Sequence, residues 1–193
     1  WTLGPLFLAA YTACLVMSLL YSVPPVRARA RAGFDVLINS AGFGALTVGA
    51  GWAAIQQPVE PPIPAVAAGF FFLFAGFYPL TQLYQMDEDR ARGDSTLALA
   101  LGKRKVLWLS LLSVMVAFAW FLGEAWMRFR HPASLGLVVV LTLWLGLLIP
   151  WLRAANTIGR AREQRGFYQA LWIWALTDVA VVLAMAGWFG PGG

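Results

Sequence analysis

Six long apolar runs divide the chain, at approximately 1–21, 36–55, 63–86, 106–123, 135–152 and 167–189. About 20 consecutive apolar residues cross a bilayer as a helix. None of the runs alternates with the period of a barrel strand, and backbone groups in lipid must be satisfied within the segment. Each run is therefore predicted to be a transmembrane helix. The connections are short, which predicts one all-α integral membrane domain over 1–193 without a separate soluble module.

Polar positions interrupt these runs in an ordered way. In the third run, Tyr78, Thr81, Gln82, Gln85 and Asp89 fall at offsets of 0, 3, 4, 7 and 11, which is one face of a helix. A polar stripe on an otherwise apolar span faces a bundle interior or a watery cavity rather than lipid. The stripe ends in a dense group of carboxylates, Asp87, Glu88, Asp89 and Asp94, with Arg90, Arg92, Lys103, Arg104 and Lys105 close behind. Four acidic groups are expected at the membrane–water boundary, at the mouth of a polar-lined pocket. Oxygen ligands so grouped suit a hard cation such as Mg²⁺ completed by phosphate oxygens and water. The ordinary alternative is a solvated loop of mixed charge between two spans.

Composition agrees with the pattern. Of the 193 residues, 60% are hydrophobic and 12% charged, against about a quarter charged in soluble domains. Twelve of the fourteen basic residues fall in the connections after the first, third and fifth runs. By the positive-inside rule these loops are cytoplasmic. The net charge of +5 thus reflects topology rather than nucleic-acid binding. A bacterial inner or cell membrane is the expected location, with the carboxylates facing the cytoplasm. The single cysteine, Cys14, lies in an apolar run as a small packing residue and excludes an internal disulfide. No cleavable signal peptide is evident. The chain starts at Trp1 and enters a span at once, so sequence upstream of it is expected.

The first basic loop carries Tyr21, the pair Pro24–Pro25, and Arg27, Arg29 and Arg31 at alternate positions. The prolines stop the helix. Arginine binds phosphate in a planar, often bidentate way; juxtamembrane arginine also fixes orientation and contacts anionic lipid. Asn39, one turn beyond Asp35, either points into the pocket or hydrogen-bonds a neighbouring helix. Asp178, near the middle of the sixth run, needs a partner or a cavity. His131 lies on the far side, away from the carboxylates.

The stretch 85–102, Gln-x-x-x-Asp-Arg-x-x-Gly-Asp-x-Thr followed by Gly102, resembles the second aspartate-rich motif of the UbiA superfamily of intramembrane prenyltransferases. Asp89, Arg90, Gly93, Thr96 and Gly102 hold its recurrent positions. The Tyr21-Ser-x-Pro-Pro-x-Arg loop looks like the family's Tyr-containing loop after its fourth helix, and the six runs are similar in order and spacing to helices four to nine of that fold. The family usually has Asp-x-x-x-Asp; here Gln85 stands at the first position, with Asp87 and Glu88 nearby but rotated around the helix. Arg29 stands where many members carry Lys. The resemblance implies a Mg²⁺-dependent transfer of an isoprenyl group from an allylic diphosphate to an aromatic or other lipophilic acceptor. Asp89, with Asp87 or Glu88, would bind metal; Arg27, Arg29 and Lys103 would hold diphosphate; Tyr21, Tyr78, Gln82, Gln85 and Asn39 would line the substrate cavity. It also implies a first aspartate motif upstream of Trp1, so that these 193 residues alone would be inactive. Two other readings remain: a phosphatidyltransferase of the CDP-alcohol type, whose Asp-Gly-x-x-Ala-Arg core is absent, and a cation-coupled transporter or noncatalytic membrane scaffold.

Overall fold

A computed structural model describes residues 4–129 and 134–186. The outer ends of the first and last predicted spans, and His131, lie outside the described residues. The described chain folds into six helical segments long and apolar enough to cross a membrane, as the apolar runs require. They comprise α1 (Pro5–Ser22), a broken second segment, α4 (Pro62–Ala91), α6 (Lys103–Glu124), α7 (Ser134–Arg153) and α8 (Arg160–Ala186). The second segment joins α2 (Phe34–Asn39) to α3 (Thr47–Ala54) through a π-helical stretch, Ser40–Leu46. A short helix, α5 (Leu97–Leu101), lies between α4 and α6.

Helix α4 is central. It packs against α6, the π-helical stretch, α8, α5 and α3. Small residues allow these approaches, as expected where lipid supplies no hydrophobic drive between helices. A Cβ at Gly76 would meet the Ser110 carbonyl oxygen of α6 at 2.8 Å, and one at Gly44 would meet the Phe70 carbonyl oxygen of α4 at 2.7 Å. The core runs through Leu73, Leu80, Leu83, Val114, Phe118 and Trp144, all essentially inaccessible. The Trp144 indole donates to the Thr177 hydroxyl at 3.1 Å, linking α7 to α8. By contrast α1 packs along α3 and buries none of its residues.

Three boundaries differ from the sequence expectation. Helix α4 continues through Ala91, past the end of the apolar run at 86, and so carries Asp87, Glu88 and Asp89 on the helix, as the polar face expects and the alternative of a solvated loop does not. The second segment begins at Phe34, which brings Asp35 into a helix. The connection after α4 is not plain coil, because α5 forms within it. In the first two cases polar residues that lower hydropathy still continue the helical hydrogen bonding, so hydropathy marks the hydrocarbon and not the helix; α5 is apolar but only five residues long, too short to register as a span.

Candidate functional site

The C-terminal ends of α1 and α4 and the start of α2 converge with two loops, 23–33 and 92–96. Gly93, at φ +71°, ends α4 with a left-handed residue that glycine accommodates without a Cβ clash. The turn that follows donates the Asp94 N–H to the Asp89 carbonyl at 3.0 Å. In the other loop a 3₁₀ turn spans Ala28–Ala30, preceded by Arg27 at φ +39°. A non-glycine residue there is strained and persists only where its surroundings hold it. Its backbone is held on both sides, the Arg27 N–H donating to the Val23 carbonyl at 3.0 Å and the Arg27 carbonyl accepting the Ala30 N–H at 2.9 Å, and its guanidinium donates to Asp94 Oδ1 at 3.1 Å.

Asp94 also accepts from Arg92 Nε at 3.3 Å, and the other end of the Arg92 guanidinium pairs with the buried Asp89 carboxylate. Asp89, Arg92, Asp94 and Arg27 thus form one alternating chain of charge. Asp87 and Glu88 do not join it. Asp87 is 87% exposed and pairs with Arg90 at 3.1 Å. Glu88 pairs with Arg160 at the start of α8. The 100° step of the helix separates these neighbours from Asp89.

The remaining residues singled out in the sequence are distributed as follows. Tyr21 and Tyr78 meet hydroxyl to hydroxyl at 2.6 Å. Tyr21 and Asn39 line a cavity of about 390 Å³ between α1 and the second segment, with Cys14, Met17 and Thr47. The Asn39 amide donates to the Asp35 carbonyl at 2.7 Å. Gln85 donates to the Tyr84 hydroxyl at 3.2 Å. Gln82 is buried, with both ends of its amide taken by protein partners: Nε2 donates to Asp35 at 2.6 Å and Oε1 accepts the Ala98 N–H at 3.1 Å. Arg29 is exposed in the 3₁₀ turn. Lys103 forms an ion pair with the buried Glu163 at 2.5 Å. Asp35 and the pairing of Arg92 with Asp89 and Asp94 were not foreseen from sequence, because only folding brings these groups opposite Gln82 and Arg27.

Farther from this charged end, Trp174 of α8 packs against Phe70, Phe74 and Phe77 of α4 with ring centroids 5.2–6.0 Å apart. Beyond this aromatic column a cavity of about 580 Å³ opens between α3, α4 and α8. Its wall is apolar apart from Asp178, which is hydrogen-bonded by the Trp174 side chain.

Among the described residues no three His, Cys, Asp or Glu side chains gather closely enough to cage a metal ion. Asp89 and Asp94, joined through Arg92, offer two carboxylates. That donor set suits Mg²⁺, which is commonly held by one or two carboxylates plus substrate phosphates and water, and does not suit an all-protein metal cage.

A family model described as the UbiA prenyltransferase family matches residues 1–176. The chain is 33% identical over 101 residues to a lycopene elongase/hydratase of Halobacterium salinarum, a match covering 52% of this chain and 34% of that protein. It thus spans about a third of that relative's length. Its fold is similar to that of a UbiA homolog from Archaeoglobus fulgidus solved with GPP and Mg²⁺, with a TM-score of 0.65 and 16% identity over 96% of this chain and 63% of that one.

Proposed function

Because the chain belongs to the UbiA prenyltransferase family, we propose that it supplies the second half of a diphosphate site in a membrane prenyltransferase, moving an isoprenyl group from an allylic diphosphate to a lipophilic acceptor. The observation that carries this reading is the chain of charge from Asp89 through Arg92 and Asp94 to Arg27, set at one end of an apolar, aromatic-lined bundle. A diphosphate arriving there competes with the carboxylates for the two guanidiniums. Arg27 and Arg92 turn to phosphate oxygens, for which their planar donors are suited. Asp89 and Asp94, relieved of their partners, are the carboxylates that would hold Mg²⁺. The ion supplies charge neutralisation at the departing diphosphate. Arg29, exposed beside Arg27, adds a further cation within the same loop.

The isoprenyl tail runs away from this head, along Tyr78, Phe74 and Trp174 toward the apolar cavity. Those ring faces exclude water and present negative π density to an allylic cation. The cavity wall offers one carboxyl and otherwise hydrocarbon, which suits an acceptor that is itself largely hydrocarbon. The lycopene elongase/hydratase named above makes a polyene the first acceptor class to try.

The test uses the protein expressed with any sequence preceding Trp1, reconstituted in liposomes with a labelled allylic diphosphate and Mg²⁺. Expected is release of diphosphate and labelling of a polyene acceptor, lost on chelation. Labelling of an aromatic acceptor in place of the polyene would keep the reaction and change the acceptor. No acceptor-dependent diphosphate release from any prenyl donor would overturn the reading, and cation-driven solute uptake by the same liposomes would favour a transporter.

A further inference from the structure

The two loops that meet at the charged end are joined at three levels. Outermost, Arg27 donates to Asp94. Next, the Ser95 N–H donates to the Ala30 carbonyl at 3.1 Å, with Arg31 and Ser95 forming an isolated parallel bridge. Innermost is Asp35. Its Oδ1 accepts the Gly33 and Val36 N–H groups, each at 2.8 Å; its Oδ2 accepts Gln82 Nε2 at 2.6 Å and the Leu97 N–H at 3.2 Å. Gln82 then passes the connection on to the Ala98 N–H. Gly33 reaches this arrangement at φ +87°, in the region that favours glycine.

We propose that Asp35 is the positioning residue of the diphosphate site: from inside the bundle it fixes the register between the loop bearing Arg27 and the turn bearing Asp89, Arg92 and Asp94. This rests on the function proposed above. The side chain is fully buried with all its hydrogen bonds made to protein groups, so its role is indirect. A carboxylate has about four lone-pair sites, and four N–H groups from three elements point at this one. Asp35 therefore ties the start of α2, the middle of α4 and the first turn of α5 to a single point. The outer level cannot do this alone. Arg27 is 38% exposed, and an ion pair of that kind is screened and weak. A buried N–H left without its acceptor is costly, so the inner level resists displacement. When diphosphate takes Arg27 and Arg92 from Asp94 and Asp89, the outermost tie opens, and the Asp35 level keeps the two loops from separating.

The roles separate experimentally. Asp35→Asn keeps the volume but turns an N–H donor toward Gln82 or Leu97. In the complete protein it should raise the KM for the allylic diphosphate and the half-activating Mg²⁺ concentration about tenfold, as small misplacements of binding groups do, with the acceptor KM within about twofold. Amide hydrogen exchange at Ser95, Leu97 and Ala98 should accelerate. The double variant Asp35→Asn with Gln82→Glu restores an amide-to-carboxylate bond between the two positions and keeps an acceptor for the Ala98 N–H, while the Leu97 N–H, which shares Oδ2 with Gln82, still meets a donor. It should return the diphosphate KM to within about threefold of wild type. A diphosphate KM unchanged in Asp35→Asn overturns the proposal. So does an equal loss toward both substrates that follows the folded fraction. Should the wild-type protein transfer no prenyl group at all, the functional reading fails by itself. The bracket is then decided by exchange alone: no acceleration at Leu97 and Ala98 in Asp35→Asn would refute it.

Discussion

Tyr21 and Tyr78, 57 positions apart in the chain, meet hydroxyl to hydroxyl at 2.6 Å. The contact ties the end of α1, a helix that buries nothing of its own, to the central helix α4 at the edge of the 390 Å³ cavity. One hydrogen bond of this kind is worth about 1 kcal/mol net, or roughly fivefold in a rate or affinity. Tyr21→Phe and Tyr78→Phe should each lower turnover by about that factor. Because both variants remove the same bond, the double variant should be little worse than the poorer single one. Full additivity in steady-state kinetics would show that the two hydroxyls act separately.

Asp89 and Asp87 are two positions apart and differ sharply in environment. Asp89 is buried in the chain of charge, whereas Asp87 is on the surface with Arg90. Asp89→Ala should cut prenyl transfer at least about 100-fold, the scale of losing one preorganised group that meets developing charge. Membrane insertion should be retained. Asp87→Ala should stay within about twofold, since an exposed pair contributes little. Product formation at saturating Mg²⁺ checks both, and transfer retained by Asp89→Ala would remove that residue from the mechanism.

Lys103, expected at the diphosphate, is held by Glu163 on α8, whose side chain is 2% exposed. Losing the cation leaves a buried carboxylate uncompensated. Lys103→Met should destabilise the detergent-solubilised protein by about 1–3 kcal/mol, discounted for the partial exposure of the lysine. Adding Glu163→Leu should recover most of that. Thermal unfolding in detergent provides the measurement. A fall in activity of Lys103→Met without loss of stability would instead place Lys103 on substrate.

Gly76 tests the seam between α4 and α6. Its missing Cβ leaves room for the Ser110 carbonyl, which cannot swing aside as a side chain would. Gly76→Ala should cost about 1–3 kcal/mol through overpacking. Gly123→Ala, in α6 with nothing within 4 Å, should be neutral or stabilise by up to about 1 kcal/mol through helix propensity. Equal effects in denaturation measurements would contradict the packing described.

The legible part of the site was its helical face. Tyr78, Gln82 and Asp89 share it in the sequence and share it in the fold, because the periodicity of a helix is local and needs no partner. Asp87 and Glu88 show where that reading stops. Composition groups them with Asp89, yet each residue turns the side chain by about 100°, and the available cations, Arg90 and Arg160, lie in other directions. Asp35 shows the opposite case. In the sequence it is one acid ahead of an apolar run, without a motif. Its partners are Gln82, 47 positions away, and Leu97, 62 positions away, and no local pattern records such a distance.

The sequence alone determined that this stretch is an all-α membrane-spanning one, with six spans among the described residues, and its motifs carried the family. Hydrocarbon imposes length, apolarity and internal hydrogen bonding on every spanning segment, so these properties are written residue by residue. Only the tertiary structure decided which carboxylates share Arg92, that Gln82 is bound on both sides, and that Asp35 lies beneath both charged loops. Those outcomes depend on which helix ends meet and at what register, a property of packed pairs that no single segment contains.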